Sequence, residues 1–268
     1  MSEKMSYYSP EANWKYCSNS QLKRFSDCEA CAMAELRGEW TQERTKALDL
    51  GSFLDALLVN HHDEENWIEQ NRDVVYQKNG KMYAEFIRAG ETACLIKKQP
   101  LMMEYLTGEH QKMMVGEIDG LPFKIRMDTY VEGKFISDLK YLSSLRSPNL
   151  FENVLSYWHY IDQASLYQEI VRQNTGQTLP FYFVIATKET PAHLEVVSVN
   201  QYDLDEAMEG IRARIPRIKA LKEGLIEPKR CEQYNCSYCT ETRVLDKPLP
   251  YEMLGRARIF EEEDNAKV

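Results

Sequence analysis

The strongest constraint on this chain is a change of period. Up to about Tyr105 its apolar residues recur at three- and four-residue spacing, and from His110 onward they alternate. The segments "QKMMVGEI", "LPFKIRMDTYV" and "KFISDLKYL" each read as a strand with one inward face. Asp119-Gly120 separates the first two and Glu132-Gly133 the last two. Such dipeptides supply the positive-φ residues of tight hairpin turns. The spacing therefore predicts a three-stranded antiparallel meander.

Helices flank it on both sides. "NSQLKRFSDCEACAMAELR" places Leu22, Phe25, Ala32, Met33 and Leu36 at helical spacing, with Ser18, Asn19 or Ser20 as its cap. "KALDLGSFLDALLVN" is a second helix ending near Asn60, and "GKMYAEFIRAGETACLIKK" and "PLMMEYL" are two more. A helical stretch runs from about Pro148 to Asn174. The strands "LPFYFVIATK" and "AHLEVVSVN" follow around Thr190-Pro191, then a helix from about Asp203 to Gly224. This order predicts an α/β or α+β protein with a central mixed sheet. With no repeat, low-complexity segment or linker, the expectation is one domain over 1–268. It would have a helical part over 1–108, a core over 109–225 and a cysteine-bearing tail over 226–268.

Composition narrows the class. The 268 residues are 43% hydrophobic and 28% charged, enough for one sizeable core in a globular chain. No apolar run approaches the roughly 18 residues of a membrane helix. The opening "MSEKMSYYSPEANWK" lacks the apolar centre of a signal peptide. No membrane association and a cytoplasmic location are therefore expected. A formal net charge of −9 argues against a generic basic coat for nucleic acid, yet permits a local basic groove. The most basic stretch carries Arg212, Arg214, Arg217, Lys219 and Lys222, followed by Lys229 and Arg230. It reads equally as a phosphate-contacting row and as a solvated helix face.

The second hairpin, "RMDTYVEGKFISDLK", carries the most suggestive chemistry. Asp138 and Lys140 are two apart on a strand and share a face. Asp128 lies close to opposite Asp138 across the Glu132-Gly133 turn. Paired carboxylates suit Mg²⁺ or Mn²⁺. Such an ion polarises a phosphate oxygen and lowers the pKa of bound water, and a lysine beside it positions or deprotonates that water. A cross-strand salt bridge on a solvated face accounts for the same spacing. Downstream, "YWHYIDQASLYQEI" puts Gln163 and Tyr167 four apart on one helical face.

Seven cysteines without a secretion signal point to thiols rather than disulfides. Cys231, Cys236 and Cys239 fall within nine residues, a spacing typical of metal ligands, with a fourth ligand needed from elsewhere. An iron–sulfur cluster, a structural Zn²⁺ and free thiols all remain open.

Taken in order, "SNSQLKRFSDC", "LGSFLDALL", "GLPFKIRMD", "ISDLK" and "QASLYQ" resemble the PD-(D/E)xK nuclease superfamily. More narrowly, the chain resembles the RecE-like (exodeoxyribonuclease VIII-type) phage and prophage exonucleases, with lambda exonuclease and the RecB and AddB nuclease domains as relatives. The resemblance runs from about Asn19 to Cys239. It implies that Asp128 and Asp138 are metal ligands, joined by the backbone carbonyl of Leu139, and that Lys140 is the catalytic lysine. Gln163 and Tyr167 would support the site and contact the DNA backbone. Glu109 is a weaker candidate for an auxiliary carboxylate. Met127 stands where a proline is usual, a loosely kept position. Asp55 stands where relatives commonly carry histidine, and it is either a metal ligand or a helix-surface residue.

"SQLKRFSDC" resembles AddB-type and CRISPR-adaptation nucleases, in which one N-terminal and three C-terminal cysteines hold a [4Fe–4S] cluster. That resemblance selects Cys28 beside Cys231, Cys236 and Cys239, with Cys31 in reserve and Zn²⁺ as the alternative metal. Cys17 and Cys94 would be ordinary thiols. The implied activity is metal-dependent 5′→3′ hydrolysis of DNA from duplex ends. The implied assembly is a homo-oligomeric ring working beside a single-strand-annealing protein in phage-type recombination. A nuclease of other polarity, an endonuclease, and a non-catalytic DNA-binding or scaffold protein on the same fold are the rival readings.

Overall fold

The computed structural model describes residues 7–58, 64–231, 236–245, 248 and 251. In chain order, α1 (Pro10–Lys15), α2 (Asn19–Asp27), α3 (Glu29–Arg37), α4 (Lys46–Leu58), α5 (Glu64–Gln70), α6 (Arg72–Val75), α7 (Ala84–Lys97) and α8 (Pro100–Tyr105) come first. The strands β1 (Glu109–Ile118), β2 (Leu121–Val131) and β3 (Phe135–Leu142) follow, then α9 (Val154–Tyr157) and α10 (Tyr160–Thr175). The chain continues through β4 (Phe181–Thr187), β5 (Leu194–Ser198), α11 (Gln201–Lys222) and α12 (Ser237–Glu241). It gathers into two compact units, one of residues 1–19 and 43–216, the other of 20–42 and 217–268.

The larger unit is built on one five-stranded sheet in the order β1-β2-β3-β4-β5. The meander is antiparallel, as its turn dipeptides require: Asp119 and Gly120 take φ of 48° and 74°, and Ile118 pairs with Leu121 across them. β4 runs parallel to β3, so the chain has to cross over between them, and α9 and α10 make that crossover. β5 returns antiparallel and closes a mixed sheet.

Alternation along β4 sorts the two faces. Val184 and Ala186 join Leu54 of α4, Phe86 and Ile96 of α7 and Met102 of α8 in one core cluster. Phe181 and Phe183 point the other way, toward Tyr167 and Tyr160 of α10. Helices therefore cover both faces, the α/β arrangement expected from the element order. Leu54 and Phe86 are fully buried, and truncating either to alanine would cost about 2–5 kcal/mol. Ser165 of α10 donates to the Leu204 carbonyl at 2.6 Å, which fastens α11 to the outer side of α10.

In the smaller unit, the first long helix of the sequence reading is broken. Cys28 is extended (φ −167°, ψ 109°) and caps α3, its sulfur accepting the Cys31 N–H at 3.4 Å. The stretch from Pro148 is also not one helix. Asn153 caps α9, and His159 at φ 57° separates α9 from α10. Val59 and Asn60, the expected end of the second helix, lie outside the described residues. No helix among the described residues is long and apolar enough to cross a membrane.

Candidate active site and metal centre

The last paired rung of β2 and β3 is Thr129–Ser137, and one step further the same register sets Asp128 opposite Asp138. Asp128 Oδ2 accepts the Leu139 N–H at 3.0 Å, which ties the two strands exactly where their carboxylates meet. Gln163 of α10 then reads both β3 side chains. Its Nε2 donates to Asp138 Oδ1 at 2.5 Å, and its Oε1 accepts from Lys140 Nζ at 2.9 Å. Lys140 also forms an ion pair with Asp138 Oδ2, without hydrogen-bond alignment, and sits 4.5 Å from the centre of the Tyr160 ring. Asp138 is only 3% exposed. The hairpin charges are therefore a buried network, and the solvated salt bridge is set aside. Buried charges of this kind cost folding energy unless every member is paired, which makes this network the candidate site.

Asp55 of α4 is the third carboxylate. Gln111 Nε2 spans it and Asp128, 3.3 Å from Asp55 Oδ2 and 3.5 Å from Asp128 Oδ1. Gln111 has φ 53°, a left-handed backbone unusual for glutamine in a strand. Asp55 Oδ1 and Gln111 Oε1 are buried with no hydrogen-bond partner among the described residues.

Burial pushes the Asp128 carboxyl well above its ordinary range, and Asp138 and Asp55 push it further against the pull of Lys140. Burial, with Asp138 adding, raises Asp55 to about 6, while Arg126 draws it down. Burial alone would lower Lys140, but Asp138, Tyr160 and Asp128 outweigh it, so the ammonium stays charged. Burial also raises the Tyr167 phenol, with Asp138 adding, and leaves it a neutral hydroxyl.

These residues fit a hard divalent cation. The donors are carboxylate and amide oxygens, two of them buried and unsatisfied, and the carboxylates repel one another in a site short of positive charge. Mg²⁺ or Mn²⁺ would be held by Asp128 and Asp138, with Asp55 beside them. Glu109 stands apart: at the exposed start of β1 it is paired with Lys112 at 2.8 and 3.0 Å. Leu139 lies between Asp138 and Lys140 on β3, with its N–H on Asp128. Three participants were missed in the sequence. Gln111 was legible only through the β1–β2 register, Tyr160 only through the helix turn before Gln163, and Arg126 only through its place two residues before Asp128.

The smaller unit holds a second centre. The sulfurs of Cys28, Cys231, Cys236 and Cys239 all lie within 4.8 Å of one another, and among the described residues this is the one set of three or more ligands so tightly drawn. The Cys28–Cys239 separation is 3.5 Å and the Cys231–Cys236 separation 3.6 Å. Cys236 caps α12 as Cys28 caps α3, each sulfur accepting an N–H three residues on. Burial would raise the Cys231 thiol, but hydrogen bonds from Cys236, Cys239 and Cys28 hold it low. Burial pushes Cys239 up. Cys31 is turned away, its thiol donating to Glu35 at 3.7 Å, and burial with Glu35 raises it to about 12.

The basic row is largely spoken for. Arg212 pairs with Asp119, Arg214 reaches Asp162 at 2.6 Å, and Arg217 grips Glu29 through two nitrogens. Arg230 donates to Thr242 at 2.8 Å.

Comparison with known proteins agrees with this geometry. Residues 18–242 match the family described as "PDDEXK-like domain of unknown function (DUF3799)". The chain is 34% identical to a protein from Eubacterium rectale whose crystal structure is named "Putative exonuclease". That alignment covers 96% of this chain and 99% of the other, with a TM-score of 0.88. A second structure, SSO0001, aligns over 86% of this chain and 96% of its own at 12% identity and a TM-score of 0.32, too distant to carry an argument. Among curated proteins none matches. The motifs, the mixed sheet and these matches agree that the chain belongs to the PDDEXK-like DUF3799 family, with the PD-(D/E)xK nuclease fold.

Proposed function

We propose that this protein is a metal-dependent DNA exonuclease acting on duplex ends, with 5′→3′ polarity. The observation that carries the reading is the pairing of Asp128 and Asp138 across β2 and β3, with Lys140 and Gln163 closing one buried network. Mg²⁺ or Mn²⁺, when bound, polarises the scissile phosphate and makes water a competent nucleophile. Asp128, Asp138 and Asp55 supply hard oxygens for the ion, and the Leu139 carbonyl is proposed as a further ligand. Lys140 remains charged, so its work is to orient the attacking water and offset negative charge developing on the phosphoryl oxygens. Gln163 fixes both Asp138 and Lys140, and Tyr167, buried one helical turn on along the same face of α10, supports it.

The exonuclease name of the Eubacterium rectale protein supports the mode of attack. The family resemblance supports the ring, the single-strand-annealing partner and the recombination role. Seven free thiols agree with a reducing, cytoplasmic setting. For the four-cysteine centre we propose a structural metal. Its four thiolates, all within 4.8 Å of one another, are the donor set of a [4Fe–4S] cluster or of one tetrahedral Zn²⁺.

The decisive experiment digests duplex DNA labelled at either the 5′ or the 3′ end, with Mg²⁺ or Mn²⁺, beside an Asp138→Ala control. Mononucleotide release from 5′ ends that vanishes in the control is the expected result. No metal-dependent hydrolysis in the wild-type protein would overturn the reading.

A further inference from the structure

The carboxylate network adjoins a cluster that its chemistry does not use. Arg126 lies on β2 two residues before Asp128, hence on the same sheet face, and its charge is felt by Asp55. Among the described residues no carboxylate forms an ion pair with it. Its guanidinium instead rests 5.1 Å from the Tyr8 ring centre and 5.8 Å from that of Tyr7. The contrast with Arg212, Arg214 and Arg217, each matched to an acid, is chemical: Arg126 is held by aromatic faces, which leave its N–H fork open.

The two tyrosines are fixed differently. Lys124, buried, donates to the Tyr7 carbonyl and to Asn13 Oδ1 at 2.7 Å, and lies 4.6 Å from the Tyr7 ring centre. Tyr7 is thereby pinned. Tyr8 stands edge-on to it, centroids 5.0 Å apart, and remains 63% exposed. Ser9 caps α1 directly after, accepting the Ala12 N–H at 3.1 Å, so the pair enters a preformed turn. An exposed ring beside an open guanidinium, adjoining a site for phosphodiester chemistry, is the composition of a single-strand binding platform. A groove of about 890 Å³ leads away from it along the β1 edge, past Tyr16, Met113 and Val115. A peptide strand would not add to that edge. Asn174 of α10 already takes the Val115 carbonyl at 2.9 Å, and Gln173 takes both the N–H and the carbonyl of Glu117.

We propose that Arg126 and Tyr8, braced by Tyr7, form a holding station for an unpaired nucleotide next to the scissile phosphate. The guanidinium takes a neighbouring backbone phosphate, and the Tyr8 ring stacks on the base. The inference rests on the nuclease reading and adds a requirement to it: the enzyme grips a frayed or single-stranded end beside the cut, not the duplex alone. Arg126 and Tyr8 are thus positioning residues, acting on substrate placement rather than on bond breaking.

The test uses the full chain. Binding of a fluorescein-labelled oligothymidylate of about ten residues is followed by anisotropy in an Asp138→Ala background. Hydrolysis of end-labelled duplex is followed in the otherwise wild-type protein. Tyr8→Ala and Arg126→Ala should each weaken oligothymidylate binding by about tenfold or more, the scale of one stacked base or one phosphate contact. For Tyr8→Ala, KM for the duplex should rise by a similar factor with kcat nearly kept. Tyr8→Phe should bind as wild type, and Arg126→Lys should recover only part of the loss. Because Tyr8 is exposed, its variant keeps the test valid even if Arg126→Ala folds poorly. A wild-type protein that hydrolyses DNA, with Tyr8→Ala unchanged in both binding and KM, overturns the station and leaves the nuclease standing. A wild-type protein that neither hydrolyses duplex nor binds oligothymidylate overturns both.

Discussion

At the scale of single residues, the buried network assigns distinct consequences to its members. Removing Asp138 or Lys140 leaves the other charge inside the protein without its partner, and either loss should lower DNA hydrolysis by about a hundredfold or more. The check is hydrolysis of end-labelled duplex by purified Asp138→Ala and Lys140→Ala, with circular dichroism to show that the fold persists. Asp55 supports a pH prediction. Its carboxyl rises from an ordinary 3.8 to about 6 in the fold, by burial first and by Asp138 second. A carboxyl whose folded pKa is raised is penalised when charged. That penalty is complete above about pH 6 and disappears as pH falls toward the unfolded value. In EDTA, Asp55→Asn should therefore melt above wild type at about pH 7.5, and the gap should close by about pH 4. An unchanging gap would remove Asp55 from the electrostatic cluster. Period two put Asp128, Asp138 and Lys140 on one face of the hairpin and the resemblance to the nuclease superfamily added Gln163 and Tyr167, and the fold brings these side chains together. Gln111 and Arg126 were not legible in the sequence. Their roles come from a cross-strand register and from rings about 118 residues earlier in the chain, at Tyr8, which no local pattern encodes.

At the scale of elements, the meander was the most legible part, since Asp119-Gly120 and Glu132-Gly133 specify both the turns and the direction of each strand. Helix ends were less so. "SNSQLKRFSDCEACAMAELR" keeps helical spacing straight through Cys28, yet the backbone opens there to let the sulfur cap α3 and face Cys239. A local break was chosen by partners 211 residues away. The same geometry separates Cys28 from its neighbour Cys31, whose thiol is committed to Glu35. Protein purified anaerobically without chelator should carry stoichiometric metal, iron with labile sulfide or zinc, and Cys231→Ala or Cys28→Ala should lose it along with thermal stability. Cys31→Ala should keep its metal. Elemental analysis of the three variants checks this, and loss of metal from Cys31→Ala alone would reverse the assignment of the N-terminal ligand.

At the scale of the whole molecule, the order of helices, meander, helix, strands and helix was enough for the α/β class, because a parallel β3–β4 pair must be bridged by a crossover. The gathering of residues 20–42 with 217–268 was not legible, since it depends on contacts such as Glu29 to Arg217 and Cys28 to Cys239 that bring together the two ends of the chain. Those contacts also bear on DNA binding. The chain carries a net charge of −9, and the arginines that form its most basic row are matched to Asp119, Asp162 and Glu29. Their positive charge stabilises the fold and is not spare for phosphates. Nearest the carboxylate network, the cations left to meet phosphates are Arg126 and Lys140. Each phosphate neutralised on duplex DNA contributes about −0.9 to the slope of log affinity against log salt. A protein holding DNA by two or three such contacts should show a slope of about −2 to −3. Anisotropy of a labelled duplex with the Asp138→Ala protein, between about 50 and 200 mM salt, measures it. A slope of about −6 or steeper would mean that the basic row gives up its carboxylates to DNA, and it would return Arg212, Arg214 and Arg217 to the binding surface.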